Sequence, residues 1–151
     1  MAQNEYSVWS SLIVQAPAEA VFDVLADPRK HPLIDGSGTV QGVLGDPARL
    51  ALGSKFGMRM HKGVDYRMTS TVVEYEENRL IAWRHILPAR WRYELEPEGV
   101  SATKVTETYD YAAMLPKVVS RTGIPKQNLQ SIKATLQRLK CYVEDNQTET
   151  V

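Results

Sequence analysis

The sequence predicts an α+β fold, with a curved antiparallel sheet of six to seven strands wrapped around one long C-terminal helix. Three observations carry this prediction. Over residues 55–112 apolar and polar positions mostly alternate with a period of two, the pattern of successive half-buried strands. The breaks between these runs are short, and short turns make antiparallel neighbours of the strands they join. Towards the end the period changes: Leu129, Ile132, Leu136, Leu139 and Val143 recur three and four residues apart, one apolar stripe on a helix roughly five turns long.

The elements follow in order. Residues 5–14 (EYSVWSSLIV) are rich in β-formers and read as the first strand. Ala16-Pro17-Ala18-Glu19 opens a helix, because a proline near the first helical position lacks an N–H that would be unpaired there anyway. Val21, Phe22 and Leu25 form its apolar stripe, and Asp27-Pro28 stops it. Residues 29–34 add a short helical turn, and Gly36-Ser37-Gly38 is a break before a strand over 39–44. In 55–61, Phe56, Met58 and Met60 alternate with Lys55, Gly57, Arg59 and His61. Lys62-Gly63 reads as a hairpin into a long strand over 64–76, whose Val64, Tyr66, Met68 and Val72 share a face. Strands over 79–86, 90–96 and 101–112 follow, parted by turns at Glu77-Asn78 and Pro97-Glu98-Gly99. Pro125 starts the last helix. Strands followed by one long helix, with no repeat or linker between them, place helices on one face of the sheet.

Composition narrows the function. Eighteen basic and eighteen acidic residues cancel, so net charge gives no reason to expect a nucleic-acid partner or an anionic membrane. Apolar runs are only a few residues long, so no integral membrane association is expected. The first residues lack the basic and apolar regions of a secretory signal, and the single cysteine, Cys141, fits a reducing compartment. The cytoplasm is the expected location. Cys141 is read as a packing residue. His31, His61 and His85 lack metal-ligand spacing, and there is no P-loop or dinucleotide-binding glycine pattern. No metal or cofactor is expected.

A sheet of this size coils strongly, and a straight helix of about 20 residues cannot touch all of it. Space is expected between them. Strand parity selects Met58, Met60, Tyr66 and Met68 as inward, with Trp91, Tyr93, Glu107 and Tyr109 from later strands. Methionine, tyrosine and tryptophan suit a cavity wall better than a close-packed aliphatic core. Leu129, Ile132 and Leu136 are expected to face this space from the helix. The strand over 79–86 is apolar on both faces, with Trp83 and His85 on one and Ala82 and Arg84 on the other, so its inward face stays open. If Trp83 and His85 face in, His85 and Glu107 lie two strand spacings apart, roughly 10 Å. Such a pair would hold a ligand hydroxyl or act as acid and base. The competing reading pairs Glu107 with Arg84 or Arg92 at a sheet face.

Residues 14–28, with Val14, Ala16-Pro17-Ala18-Glu19-Ala20-Val21-Phe22 and Asp27-Pro28, resemble a signature of the START-related helix-grip superfamily (Bet v 1/START-like, also labelled SRPBCC or polyketide cyclase/dehydrase). Residues 31–40 (HPLIDGSGTV), 57–60 (GMRM), 80–84 (LIAWR), 91–97 (WRYELEP) and 105–110 (VTETYD) resemble an actinobacterial branch of it. The resemblance runs over most of the chain and implies one START-like domain across residues 1–151, with a deep cavity between sheet and last helix. It also implies that His31 and Asp35 border the cavity mouth, although Asp35-Gly36-Ser37-Gly38 is also ordinary turn chemistry. The expected function is binding, transport or sequestration of a small apolar or amphipathic molecule such as a lipid or polyketide, by a monomer or homodimer. Two alternatives stand beside it: a cyclase or dehydratase using His85 and Glu107, and an interaction protein whose cavity is packed shut.

Overall fold

The computed structural model describes residues 5–149. The elements are β1 (Ser7–Val14), α1 (Ala18–Leu25), a 3₁₀ turn (Pro28–Lys30), α2 (His31–Ile34), β2 (Val40–Leu44) and β3 (Lys55–Lys62). They continue with β4 (Val64–Glu76), β5 (Leu80–Arg84), β6 (Arg90–Pro97), β7 (Thr103–Asp110), α3 (Pro116–Val119) and α4 (Ile124–Glu149). The seven strands form one antiparallel sheet in the order β1-β7-β6-β5-β4-β3-β2. This is the expected α+β helix-grip architecture, with a curved sheet around the last helix. Pro17, expected near the first helical position, is the N-cap of α1. Two details differ. β5 ends at Arg84, so His85 and Ile86 belong to the loop after it. The short helix α3 carries no periodic stripe and was not expected.

Two bulges bend the sheet, one in β2 between Val40 and Gly42 and one in β4 between Val72 and Glu74. An extra residue leaves the ladder locally unpaired and increases twist. In β4 it also exchanges faces: Tyr66, Met68 and Val72 point inward before it, whereas after it Tyr75 does, with its ring against Phe22. Two adjacent apolar residues, Val72-Val73, hide this switch from simple alternation.

Only part of the concave side is filled. α1 packs Phe22 and Leu25 with Leu50, Ile81, Leu95 and Val105, all fully buried, at the end bearing the β4–β5 and β6–β7 turns. The stripe of α4 joins this core through Ile132, Leu136, Leu139 and Val143, each contributing about 1.5–3 kcal/mol by burial. α4 lies against β1 and β7 on one side and α2 on the other. Polar bonds fix its C-terminal half to the β1 edge: Lys140 Nζ donates to the Ile13 carbonyl at 3.0 Å, and the Gln15 N–H to Glu144 at 2.7 Å.

The segment after α2 is held against α4 as well. Arg138 donates to the Asp35 carbonyl at 2.7 Å, and the Gly36 N–H to Thr135 Oγ1 at 2.9 Å. A Cβ on Gly36 would stand 2.4 Å from the Thr135 backbone nitrogen and 2.5 Å from Ala134 Cβ. Helix backbone cannot yield to it. Gly36→Ala should therefore lower stability by roughly 1–3 kcal/mol, read as a drop in thermal midpoint, while Gly38→Ala should leave the α4 contact intact. Equal stability of Gly36→Ala and wild type would show that the close approach does not fix the segment.

Candidate functional site

The unfilled part of the concavity is a cavity of about 510 Å³, within the usual range for small-molecule sites. It opens at the end bearing the β3–β4 hairpin, the β5–β6 loop and the start of α4. Met58, Met60, Tyr66 and Met68 line it from β3 and β4, and Trp83, Trp91, Tyr93 and Tyr109 from β5, β6 and β7. The odd residues of β5 face inward, which resolves the two-faced apolar pattern of that strand. Ala82 is buried on the opposite face, in register with Glu74 and Arg92.

The deep wall is aromatic. His31 stacks on Trp83 with ring centroids 4.8 Å apart, and Phe56 meets both edge-on at 5.4 and 5.6 Å. Tyr93 lies 5.5 Å from Trp83, and Trp91 lies 4.7 Å from Tyr109. His31 is thus part of the inner wall and not of the mouth. Asp27 caps the 3₁₀ turn by accepting from the Arg29 N–H, and this turn swings His31 back under α1. Its Nε2 lies 2.8 Å from the Leu25 carbonyl, which can only accept, so Nε2 carries the proton. Burial pushes its pKa down to about 4. The ring is neutral at pH 7, with Nδ1 left as an acceptor.

Glu107 is buried on the same concave face, in register with Tyr93 and Ser10. Desolvation raises the Glu107 pKa to about 8, outweighing the Tyr93 hydroxyl, which favours the charged form. Oε1 has no hydrogen-bond partner. A buried polar atom without a partner is uncommon and carries a desolvation penalty. The pairing of Glu107 with Arg84 or Arg92 is overturned, because those arginines are on the convex face. There Arg92 and Arg90 each reach Glu74 at 2.8 Å, and Arg92 lies 3.5 Å from Asp110.

His85 also lines the cavity, with Nδ1 2.7 Å from Ser70 Oγ. Burial lowers its pKa to about 4. It does not pair with Glu107: the strand register sets Glu107 opposite Ile81 through Tyr93, four residues before His85, or about 13 Å along the strand direction. Asp35 lines the cavity while its carboxylate closes a local turn, accepting from the Ser37 and Val40 N–H groups at 3.1 Å.

The helix presents a different face from the one expected. Ile132 and Leu136 are packed in the core and Leu129 is half-buried away from the cavity; Asn128, Ser131 and Thr135 line it instead. The apolar stripe follows the largest available apolar partner, which is β1 with α1, and this turns the adjacent polar stripe towards the sheet. The signal was present in the sequence, since residues 128, 131 and 135 are also spaced three and four apart. Ser70, which shares the parity of Met68, and Met114 and Ile124, which lie outside the strands, are further lining residues that the sequence reading did not select. Among the described residues no cluster of histidine, cysteine or acidic side chains forms a metal-binding group, and no helix is long and apolar enough to cross a membrane.

A curved sheet around a C-terminal helix, with a lined void between them, defines a helix-grip protein. The chain belongs to the family described as polyketide cyclase / dehydrase and lipid transport, whose profile matches residues 6–144. An uncharacterized protein of Mycobacterium tuberculosis is 44% identical over 135 residues, covering 85% of this chain and 60% of that one. The chain thus spans about three fifths of the length of the curated relatives it matches. Among solved structures, a protein of Nitrosomonas europaea superposes with a TM-score of 0.73 at 14% identity, covering 97% of this chain and 99% of that one. The AHSA1-like protein of Aeromonas hydrophila gives 0.67 at 21% identity, covering 93% and 94%. The polyketide-cyclase-like protein of Corynebacterium glutamicum gives 0.57 at 17%, covering 95% and 94%. These likenesses are of fold.

The state of Glu107 is open to measurement. Its pKa rises on folding from the usual 4.5 to about 8, so below pH 4.5 both states are protonated and folding carries no ionisation penalty. Between pH 4.5 and 8 the unfolded chain loses this proton first, and stability falls as pH rises. Glu107→Gln removes that dependence. The variant should gain on wild type by on the order of a few kcal/mol between pH 4.5 and pH 8, measured by denaturant unfolding across that range. A constant difference would show that the carboxyl is ionised in the folded protein.

Proposed function

We propose that this chain binds an uncharged, largely apolar molecule carrying one or two oxygen functions, and carries or sequesters it. The observation that supports this best is the unpartnered Oε1 of Glu107 in a cavity otherwise walled mainly by methionine and aromatic side chains. A hydroxyl or carbonyl on the ligand would meet the polar group the protein leaves unsatisfied. Its apolar body would lie along Met58, Met60 and Met68 towards the mouth. Neutral Glu107, His31 and His85 together favour a neutral polar end, since a charged one would be desolvated without a counter-ion. Lipids and polyketides fit this description, and both occur in the family's description. Burying some 300 Å² of ligand surface would contribute roughly 7 kcal/mol before entropic costs, enough for affinities around the micromolar range. The lone Cys141 supports a reducing compartment such as the cytoplasm.

A cyclase or dehydratase needs an acid and a base converging on one point of the substrate. Glu107 has the protonated state of an acid at neutral pH, but His85 is engaged with Ser70 and displaced along the sheet, and this separation favours binding over catalysis. The neutral fluorophore N-phenyl-1-naphthylamine tests the binding reading. Its fluorescence should rise saturably with wild type, and Met68→Trp, which places an indole in the void, should weaken binding at least about tenfold while the protein stays folded. No saturable rise with wild type, or equal binding by Met68→Trp, would count against the cavity as the site.

A further inference from the structure

Net charge is zero, yet charge is unevenly placed along the fold. From Tyr111 to Val143 the chain carries six basic residues and no acidic one. Lys117, Arg121 and Lys126 belong to this run, are exposed, and make no ion pair among the described residues. All three lie in α3, the turn after it or the first turn of α4, beside the cavity opening. Lys62 in the β3–β4 hairpin lines the opening directly. Most exposed acidic residues gather at the opposite end of the sheet, with Glu76 and Glu77 at the β4–β5 turn, Glu96 and Glu98 at the β6–β7 turn, and Glu19 and Asp23 on α1; Asp65 in the β3–β4 hairpin is an exception, and it bonds to His61 at 2.7 Å.

The basic end also carries a cluster of exposed apolar side chains. Leu87, Met114 and Ile124 border the cavity from three separate segments. Their neighbours Ile86 and Leu115 are 89% and 76% exposed, and Val64 and Val118 are exposed as well. Isolated exposed apolar residues need no explanation, but a group of them around one opening does. We propose that this rim docks on an anionic lipid bilayer, with Ile86, Leu87, Leu115 and Val118 entering the interface and Lys62, Lys117, Arg121 and Lys126 meeting the headgroups. Apolar tips flanked by unpaired cations fit such a surface, which offers hydrocarbon beneath a layer of negative charge. A second copy of this chain fits less well, since a two-fold contact would set the same cations against each other. Docking by the rim would turn the cavity mouth to the membrane.

Vesicle flotation tests this without any cavity ligand. Wild type should float with phosphatidylcholine vesicles containing phosphatidylglycerol and not with phosphatidylcholine alone, and added salt should release it. Lys117→Gln, Arg121→Gln and Lys126→Gln combined should lower partitioning on the order of 100-fold. Ile86→Ser with Leu115→Ser should lower it too, and both variants should keep the wild-type thermal midpoint because every altered side chain is exposed. Met68→Trp should float like wild type, which separates this surface from ligand uptake. Failure to float with anionic vesicles at low salt, equal flotation with neutral ones, or an unaffected triple variant would each overturn the proposal. So would a dimer in sedimentation that Leu115→Ser dissociates without any vesicle binding by the wild type.

Discussion

The position of α4 governs the rest of the molecule. Its apolar stripe is committed to β1, β7 and α1, and that choice decides which face turns to the concave sheet. Gly36 against the helix backbone and Arg138 on the Asp35 carbonyl hold the α2 segment to the other flank. The helix is therefore gripped from two sides and cannot roll to bring leucines into the void. What faces the sheet is a run of small polar side chains, Asn128, Ser131 and Thr135. A row of that size and polarity cannot fill the space beneath a strongly coiled sheet.

The chemistry of the cavity follows from that geometry. Depth removes water, and without water the ionisable groups along the wall lose their charge: Glu107 keeps its proton while His31 and His85 lack one. All three line the void. Structural bonds occupy part of their hydrogen-bonding capacity, at the Leu25 carbonyl for His31 and Ser70 for His85, and Glu107 Oε1 is left over. A stable fold tolerates such an atom where a binding partner satisfies it. Charge is instead placed outside, in the Glu74–Arg90–Arg92 cluster of the convex face and along the basic run of the rim.

Much of the fold was legible in the sequence, because strand alternation and the terminal stripe are both enforced by burial of one face. Parity alone placed Met58, Met60, Tyr66, Met68, Trp91, Tyr93, Glu107 and Tyr109 on the cavity wall. Three things were not legible. The inward face of β5 depended on the Glu74–Arg92 cluster that covers Ala82 on the other side, a tertiary fact. The lining face of α4 is not its apolar stripe, because such a stripe marks where a helix is buried most tightly, and a cavity is where it is not. His31 lies in the inner wall and not at the mouth because its ring is drawn inward by one bond to Leu25 and by stacking on Trp83, neither of which has a local sequence signal.

The central claim is that the space under the sheet is real and can be occupied. Four of the five methionines, Met58, Met60, Met68 and Met114, line it, so their methyl groups report on its contents. Carbon-13 methyl spectra recorded under xenon pressure measure this directly, since xenon enters dry apolar cavities without needing a polar partner. Saturable shifts of those four methyls are the expected result. Spectra unchanged by xenon would mean that the helix fills the hollow, and the account would fail.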